Sequence, residues 1–398
     1  MKITMISNYI NHHQIPFSNA LYNREDVEYC FIQTEPMEEE RIRMGWGLDP
    51  KSLPYVKLLY EEEAECKRLI DESDIMLIGW MEREDLVKDR LEANKFTIRM
   101  SERLYREGQY KAVSPRGLIR KYKEHTRFRK NNVFLLCFGA YVPSDFNIVR
   151  AYPNKMYRFG YFPETKIYQG NELFLKKPSL DTVHIVWAGR FMPLKHPEFV
   201  VKLAKDLKEK GYAFHIHFVG GGELEEKLRS MIAEEQLSQE ITMYGFQSPK
   251  RVREIMEQSH IHLFTSNHLE GWGAVVNEAM NSGCAEVANS EVGAVPFLIR
   301  HKQNGLIYKD GSYEDFLQCI LSLFENKALI TQYGKAAYET IVTEWNAEHA
   351  ADELLRFYRN WQAGRMELPN SGPFSAAPVI SPRRMYEYVT NLGGDMYE

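Results

Sequence analysis

The sequence contains little cysteine, and its cysteines are scattered. Five cysteines are spread over 398 residues, an odd number with no Cys-x-x-Cys spacing. This pattern argues against a disulfide framework and gives no sign of a zinc site. We therefore expect a protein of a reducing, cytoplasmic compartment. The cysteines are Cys30, Cys66, Cys137, Cys284 and Cys319.

Long apolar runs and a large excess of one charge are also missing. No window approaches about 18 uninterrupted apolar residues, which argues against a membrane-spanning helix. The amino terminus lacks the small-residue cleavage pattern of a secretory signal. A net charge of −5 and a pI near 6.2 oppose a surface that coats nucleic acid. The 44% of apolar residues is sufficient for a large hydrophobic core.

Short apolar, β-branched runs alternate with charged, helix-compatible stretches in both halves of the chain. This alternation predicts an α/β fold with a parallel sheet flanked by helices in each half. The first half has predicted strands at 2–7, 27–34, 75–79, 96–100 and 133–138, and the second half at 183–188, 214–219, 241–245, 261–265 and 285–288.

The predicted domain boundaries follow from a change in composition. A stretch with two prolines and mixed charge, residues 162–179, is typical of an interdomain linker. We therefore predict one Rossmann-like domain at 1–165 and a second at 166–345. An amphipathic helix at 346–364 is expected to pack across to the first domain. The Pro-, Ser- and Gly-rich remainder, 365–398, is predicted to be a flexible tail.

The most informative motif follows the predicted strand at 261–265. A loop containing Gly271 and Gly273 leads into a helix that begins at about Ala274. A strand, a glycine-rich loop and a helix amino terminus together favour anion binding, because free N–H groups and the helix dipole both point at the ligand. Glu270 precedes the loop, and Glu278 lies roughly 6 Å along the helix axis, where it could accept hydrogen bonds from a ribose. Both glutamates are also compatible with ordinary solvated charges.

This motif resembles the donor-binding motif of the retaining glycosyltransferase family 4. The shared pattern is Glu270-x7-Glu278, with glycines at 271 and 273 and Ala279-Met280 after it. The resemblance implies the GT-B fold, in which two Rossmann-like domains face each other across a cleft that holds the nucleotide-sugar. It also implies that Glu270 acts on the transferred sugar, and that the donor is contacted by Glu278, Gly271, Trp272, Gly273, Ala274 and Val275.

Two further stretches of the second half are similar to the same family. Gly189, Arg190 and Lys195 follow a predicted strand, and the resemblance implies that the two cations are catalytic and bind the diphosphate. Fixed cations stabilise the charge of a departing diphosphate. Gly221 would line the donor site or only form a tight turn. Phe246 would contact the nucleobase or only anchor its loop. After Gly283 the family's usual proline-valine pair is replaced here by Cys284-Ala285-Glu286-Val287. We interpret Cys284 as packed rather than nucleophilic.

The first half carries weaker candidates. His12 and His13 follow the first strand, where relatives have a flexible loop that faces the donor, and either histidine could instead cap the next helix. Glu102 follows the strand at 96–100 and corresponds to a polar family position beside the transferred sugar. We carry it over as a catalytic candidate. This half would form the acceptor-binding domain.

Residues 95–130 are strongly basic, with aliphatic and aromatic residues interspersed. Such a stretch is compatible with peripheral contact to the anionic inner face of a plasma membrane or with a solvated basic surface. The basic residues that alternate with apolar ones are Arg116, Arg120, Lys121, Lys123, Arg127, Arg129 and Lys130.

The function that the resemblance implies is retaining transfer of a sugar from a nucleoside diphosphate sugar to a hydroxyl of a saccharide or lipid-linked acceptor. The resemblance favours bacterial cell-surface polysaccharide or glycolipid synthesis. No Asp-x-Asp occurs, in agreement with transfer without a divalent metal or another cofactor. A sugar phosphorylase, a nucleotide-sugar epimerase and a non-catalytic sugar-binding protein are the alternatives. No nucleic-acid partner is expected.

Overall fold

The computed structural model describes residues 1–39 and 47–391. It divides into two compact units, each described here by itself. Unit 1 comprises residues 1–164 and 346–380, and unit 2 comprises residues 165–345 and the chain from Ser381. The change of unit lies at 164/165, one residue before the predicted boundary at 165/166.

Thirteen strands are numbered within the described residues. Unit 1 contains β1 Lys2–Ser7, β2 Glu28–Gln33, β3 Val56–Leu58, β4 Ile75–Ile78, β5 Thr97–Ser101, β6 Val133–Phe138 and β7 Met156–Phe159. Unit 2 contains β8 Val183–Ala188, β9 Phe214–Val219, β10 Ile241–Gly245, β11 Ile261–Phe264, β12 Ala285–Asn289 and β13 Gly305–Tyr308.

The helices of the described residues are numbered in chain order. They are α1 Ile15–Tyr22, α2 Glu63–Glu72, α3 Asp85–Glu92, α4 Pro115–Glu124, α5 Val142–Ile148, α6 Glu172–Leu175, α7 Glu198–Glu209, α8 Glu225–Glu234, α9 Pro249–Glu257, α10 Val275–Asn281, α11 Val295–Leu298, α12 Tyr313–Glu325, α13 Lys327–Thr343, α14 Ala347–Gln362 and α15 Pro382–Asn391. Across 1–39 and 47–391, no helix has the length and apolar character needed to cross a bilayer.

Each unit is built on one parallel sheet, which confirms the predicted α/β class. The strand order is β3-β2-β1-β4-β5-β6-β7 in unit 1 and β10-β9-β8-β11-β12-β13 in unit 2. Strand β6 is buried along its whole length, as expected for a strand covered on both faces by helices. Helices α7 and α8 cover one face of the second sheet, where Leu203 and Leu228 pack against strand residues such as Ile216.

The strand order reverses once in each sheet, between β1 and β4 and between β8 and β11. Connections leave such a pair of strands in opposite directions, so a crevice opens at their carboxyl ends. In unit 1 the crevice lies between the loops that follow β1 and β4. In unit 2 it lies between the loops that follow β8 and β11. Open α/β sheets bind their ligands at these positions.

The carboxyl-terminal helix predicted at 346–364 corresponds to α14 and belongs to unit 1. Its first turn is capped by Asn346, whose side chain accepts a hydrogen bond from the His349 N–H. Phe357 packs edge-on against Phe134, with ring centroids 5.2 Å apart. The apolar face of this helix therefore completes the core of the first unit.

The prediction of a flexible tail after residue 365 is wrong for the described part. Phe374 is fully buried and its N–H donates to the Arg158 carbonyl, while the Ala377 N–H donates to the Met156 carbonyl beside β7. Helix α15 buries Met385 in unit 2. The average composition of this stretch is rich in Pro and Ser and hides a few widely spaced apolar residues. Burial of these residues is enough to fix a short segment against the rest of its unit. Residues 392–398 of the predicted tail lie outside the described residues.

Candidate functional site

The loop between β11 and α10 presents a row of unused backbone donors. Gly273 has a φ of +87°, a conformation that favours glycine. In the described part of the chain, the backbone N–H groups of residues 271–275 donate to no protein acceptor. The carbonyls of Gly271 and Trp272 are instead engaged by the N–H groups of Gly293 and Ala294, which fixes the loop. The predicted anion site thus has an ordered set of free donors.

Lys195 and Glu270 meet at the crevice of unit 2. Their Nζ and Oε2 atoms lie 2.5 Å apart, and both side chains are largely shielded from solvent. The Thr265 hydroxyl donates to the Lys195 carbonyl at 2.6 Å, and the Asn267 N–H donates to the Leu194 carbonyl at 2.9 Å. These bonds tie the loop after β8 to the loop after β11. The structure therefore brings together two predicted catalytic residues that are far apart in sequence.

Arg190 lies in the same loop as Lys195 but is not paired with a carboxylate as Lys195 is. Arg190 is exposed, and within the described ranges its guanidinium makes no ion pair or side-chain hydrogen bond. The preceding Gly189 packs closely on the Trp187 ring, since a Cβ there would lie 3.1 Å from the indole. Arg190 is therefore a cation whose backbone is fixed and whose side chain is available to an anion.

The glycines after β9 allow two loops to touch. A Cβ at Gly220 would lie 1.8 Å from the Gly189 carbonyl oxygen, and the φ of Gly220 is +136°. A Cβ at Gly221 would lie 2.7 Å from the ring of Phe246, which is itself exposed. The predicted residues Gly189, Gly221 and Phe246 are consequently neighbours beside the loop that carries Arg190.

Glu278 lies in α10 and is half-buried. Burial raises the pKa of its carboxyl group, while the nearby Arg253 and His262 oppose the shift. Arg253 also donates to the Glu278 carbonyl at 3.2 Å and to the Asn281 side chain at 2.8 Å. The carboxylate therefore lies in a shielded place with one cation nearby, where it can accept hydrogen bonds from a ligand.

The side chain of Trp272 packs into the core of unit 2. The indole is buried, donates to Asn277 at 2.8 Å and packs near Phe297 and Trp345. A large ring in this loop is needed to fill the core beneath it. Only the backbone of Trp272 belongs to the candidate site. Ala274 and Val275 are half-buried and likewise present their N–H groups.

A buried polar pair joins β11 and β12. Glu286 accepts a hydrogen bond from His262 Nδ1 across adjacent strands at 2.8 Å, and both side chains are fully buried. Burial raises the pKa of Glu286. Cys284 is fully buried, and burial raises the pKa of its thiol to about 11, so it stays protonated. The interpretation of Cys284 as a packed residue agrees with this environment.

The candidates of the first half form a separate group within unit 1. Burial and the adjacent His12 lower the pKa of His13 to about 3, so His13 is neutral. The rings of His13 and Tyr161 lie 5.5 Å apart, and the Tyr161 hydroxyl donates to Glu102 at 3.0 Å. Glu102 is also paired with Arg106. The carboxylate of Glu102 is therefore already engaged, unlike that of Glu278.

Sequence reasoning missed the residues that hold the site together. Arg253, Thr265 and Asn267 act through bonds between segments that only the strand order brings together. Their residue types carry no local signal. Among the residues described, no group of three or more His, Cys, Asp or Glu side chains has a metal-binding arrangement.

Solved structures with this fold define its class. The chain is similar to the lipopolysaccharide outer core galactosyltransferase WaaB, with a TM-score of 0.66 and 14% identity over 91% of this chain and 100% of that one. It is also similar to Alr3699/HepE of Anabaena, solved with UDP, with a TM-score of 0.63 and 12% identity over 90% and 100%. These likenesses confirm a GT-B-type α/β fold with two parallel-sheet domains.

At the level of sequence, residues 173–340 match the family described as Glycosyl transferases group 1. The chain is 25% identical over 177 residues to the amylovoran biosynthesis glycosyltransferase AmsK of Erwinia amylovora. That alignment covers 43% of each protein. The chain thus spans less than half the length of this curated relative. The match covers most of unit 2, which contains the Arg190, Lys195, Glu270 and Glu278 positions.

Proposed function

We propose that the protein is a retaining glycosyltransferase that moves a sugar from a nucleoside diphosphate sugar to a hydroxyl acceptor. The proposal rests on one observation. At the crevice of unit 2, the free N–H groups of residues 271–275 and the cations Arg190 and Lys195 lie on the two loops that border the crevice. A diphosphate needs both kinds of partner. The Glycosyl transferases group 1 match over the same unit supports this assignment.

The proposed chemistry follows from where charge develops. As the bond between the sugar and the diphosphate breaks, the leaving oxygen gains negative charge, which Arg190 and the N–H groups stabilise. Glu270 orients the transferred sugar, and its ion pair with Lys195 holds the carboxylate in place beside the diphosphate. Glu278 accepts hydrogen bonds from the ribose. The acceptor attacks from the face that the diphosphate leaves, and the departing phosphate takes its proton. With these fixed cations, we expect no requirement for a divalent metal.

The comparisons favour a role in bacterial surface saccharide synthesis. One similar protein is named for amylovoran biosynthesis and one for the lipopolysaccharide outer core. Because a neighbour of the same fold was solved with UDP, UDP-sugars are the first donors to test.

The proposal predicts that a nucleoside diphosphate sugar stabilises the protein. A ligand at 100 times its Kd adds about 2.7 kcal/mol to the free energy of unfolding. A thermal-shift panel of UDP-, GDP-, ADP- and CMP-sugars should therefore give a clear rise in Tm with one base. A variant that fills the loop, Gly273→Val, should lose the shift.

The same panel, extended by a free sugar and by turnover assays, separates the alternatives. No shift with any donor would contradict the proposed function. Turnover that requires inorganic phosphate would indicate a phosphorylase, and formation of an epimer without an acceptor would indicate an epimerase. Stabilisation by a free sugar with no nucleotide dependence would indicate a non-catalytic binding protein.

We also propose that the protein contacts an anionic membrane surface through unit 1. Helix α4 buries none of its side chains, and Ile119 and Tyr122 on it are 58% and 59% exposed. Between residues 109 and 130 the only acidic residue is Glu124, and Arg116 and Lys123 are exposed. Exposed apolar side chains next to unneutralised cations match the chemistry of an anionic headgroup layer.

This contact predicts co-sedimentation with vesicles that contain phosphatidylglycerol but not with vesicles of phosphatidylcholine alone. Binding should weaken with salt, because each basic residue near the surface contributes about 1 kcal/mol. The double variant Ile119→Ser/Tyr122→Ser should lower the bound fraction at least fivefold. Ile167→Ser in unit 2, a side chain 79% exposed, is the matched control. Equal binding of the double variant and the control would disprove the contact.

A further inference from the structure

Trp80 is an exposed indole at the crevice of unit 1. It follows the end of β4 directly after Gly79, at the point where the strand order reverses. The side chain is 61% exposed. Within residues 1–39 and 47–391, its ring stacks on no other ring and its indole N–H donates to no protein atom. A largely exposed ring with no stacking or hydrogen-bonding partner among the described residues, at a ligand-binding edge, calls for a functional explanation.

The backbone of Trp80 is held firmly against β1. Its carbonyl accepts a hydrogen bond from the Asn8 N–H at 2.8 Å and another from the Ser7 hydroxyl at 3.2 Å. A Cβ at Gly79 would lie 2.7 Å from the Ser7 hydroxyl oxygen, so the two strand ends approach each other closely. The position of the ring is therefore set by the ends of two neighbouring strands.

Two glutamates lie at the same end of the sheet, since the N–H of Glu35 donates to the carbonyl of Asn8, whose own N–H donates to that of Trp80. Glu35 follows β2 and is half-buried, and burial together with the nearby Glu82 and Glu38 raises the pKa of its carboxyl group. Glu82 is exposed two residues after Trp80. The indole therefore lies on an edge that carries acceptor oxygens and negative charge.

Two more residues extend the edge beyond β2. Gln33 is buried at the end of β2, and its amide accepts from the Ile10 N–H and donates to the Tyr60 hydroxyl. Tyr60, near the end of β3, is itself exposed. Amide, phenol and carboxylate groups beside an exposed ring suit a ligand that has both an apolar face and several hydroxyls.

We propose that Trp80 is the platform on which a pyranose ring of the acceptor saccharide stacks, with Glu35 and Glu82 accepting hydrogen bonds from its hydroxyls. A pyranose ring has an apolar C–H face that fits an aromatic ring and equatorial hydroxyls that fit carboxylates. The two carboxylates repel a phosphate group, so the sugar bound here is uncharged or carries an amine. This proposal rests on the proposed glycosyltransferase function, since it names the acceptor class.

Binding to soluble probes tests the platform. The probes are maltose, cellobiose, lactose and N,N′-diacetylchitobiose, with glycerol 1-phosphate as the anionic comparison, each titrated by calorimetry. We expect at least one disaccharide to bind, Trp80→Ala to raise its Kd at least tenfold, and Trp80→Phe to raise it about threefold or less. Tyr110→Ala removes another strongly exposed aromatic side chain of unit 1 and should leave the Kd unchanged.

Several results would overturn the platform. These are binding of no disaccharide, an unchanged Kd in Trp80→Ala, or tighter binding of glycerol 1-phosphate that depends on Trp80. UDP stabilisation of the same variants separates this test from that of the proposed function. UDP should stabilise the wild-type protein and Trp80→Ala equally, because the nucleotide residues lie in unit 2. Saccharide binding without stabilisation by any nucleotide-sugar of the panel would leave the platform standing and contradict the glycosyltransferase proposal.

Discussion

Replacing Arg190 by alanine is expected to lower the kcat of sugar transfer at least 100-fold. A fixed donor or cation that stabilises charge formed in the transition state contributes about 10²- to 10³-fold to turnover. Arg190 is exposed and has no side-chain partner in the described parts of the protein, so its truncation removes no packing and breaks no ion pair. The Tm should therefore stay within about 1 °C of wild type, because surface substitutions of this kind change stability by less than about 0.5 kcal/mol.

Two further variants define the cause of that loss. Arg190→Lys keeps the charge and loses the planar fork, so its kcat should fall between those of wild type and alanine. Arg229→Ala removes an arginine of α8 that is paired with Glu225, and its kcat should be unchanged. If Arg190→Ala turned over at the wild-type rate, Arg190 would have no part in the mechanism.

Strands formed by uninterrupted apolar runs were the most predictable part of the fold. The predicted strand at 133–138 is confirmed as β6 and that at 183–188 as β8, because runs of apolar, β-branched residues leave few alternatives. The short strand β3 was missed, since Val56–Leu58 is too brief to give a periodic signal. The tail was mispredicted because composition averages conceal single anchors such as Phe374.

The candidate site was predictable in its loops and less so in its side chains. Glycine spacing located the loop before α10, because a strand-to-helix turn with positive φ needs glycine there. The contact of Lys195 with Glu270 depends on β8 lying beside β11, which no local pattern encodes. Trp272 shows the same limit, since only the packed structure reveals whether a ring faces the core or a ligand. The assignment of donor-binding roles to these residues stays a prediction.

The approach of the two loops in unit 2 depends on glycine at position 220. Gly220 has a φ of +136°, and a Cβ there would lie 1.8 Å from the Gly189 carbonyl oxygen. The obstacle is backbone, so no side-chain rotation can relieve it. The β8 and β9 ends would have to separate, which would displace the loop that carries Arg190. We therefore expect Gly220→Ala to destabilise unit 2 by more than about 4 kcal/mol, at the extreme of single substitutions.

Gly211→Ala is the matched control for this prediction. Gly211 also has a positive φ, +75°, but no heavy atom lies within 4 Å of where its Cβ would be. Its substitution should cost only the left-handed backbone strain, about 1–2 kcal/mol. Calorimetric unfolding should place the Tm of Gly220→Ala at least about 5 °C below that of Gly211→Ala. Nucleotide binding should be lost in the first variant and kept in the second. Equal Tm values would mean that the loops of β8 and β9 do not need this close contact.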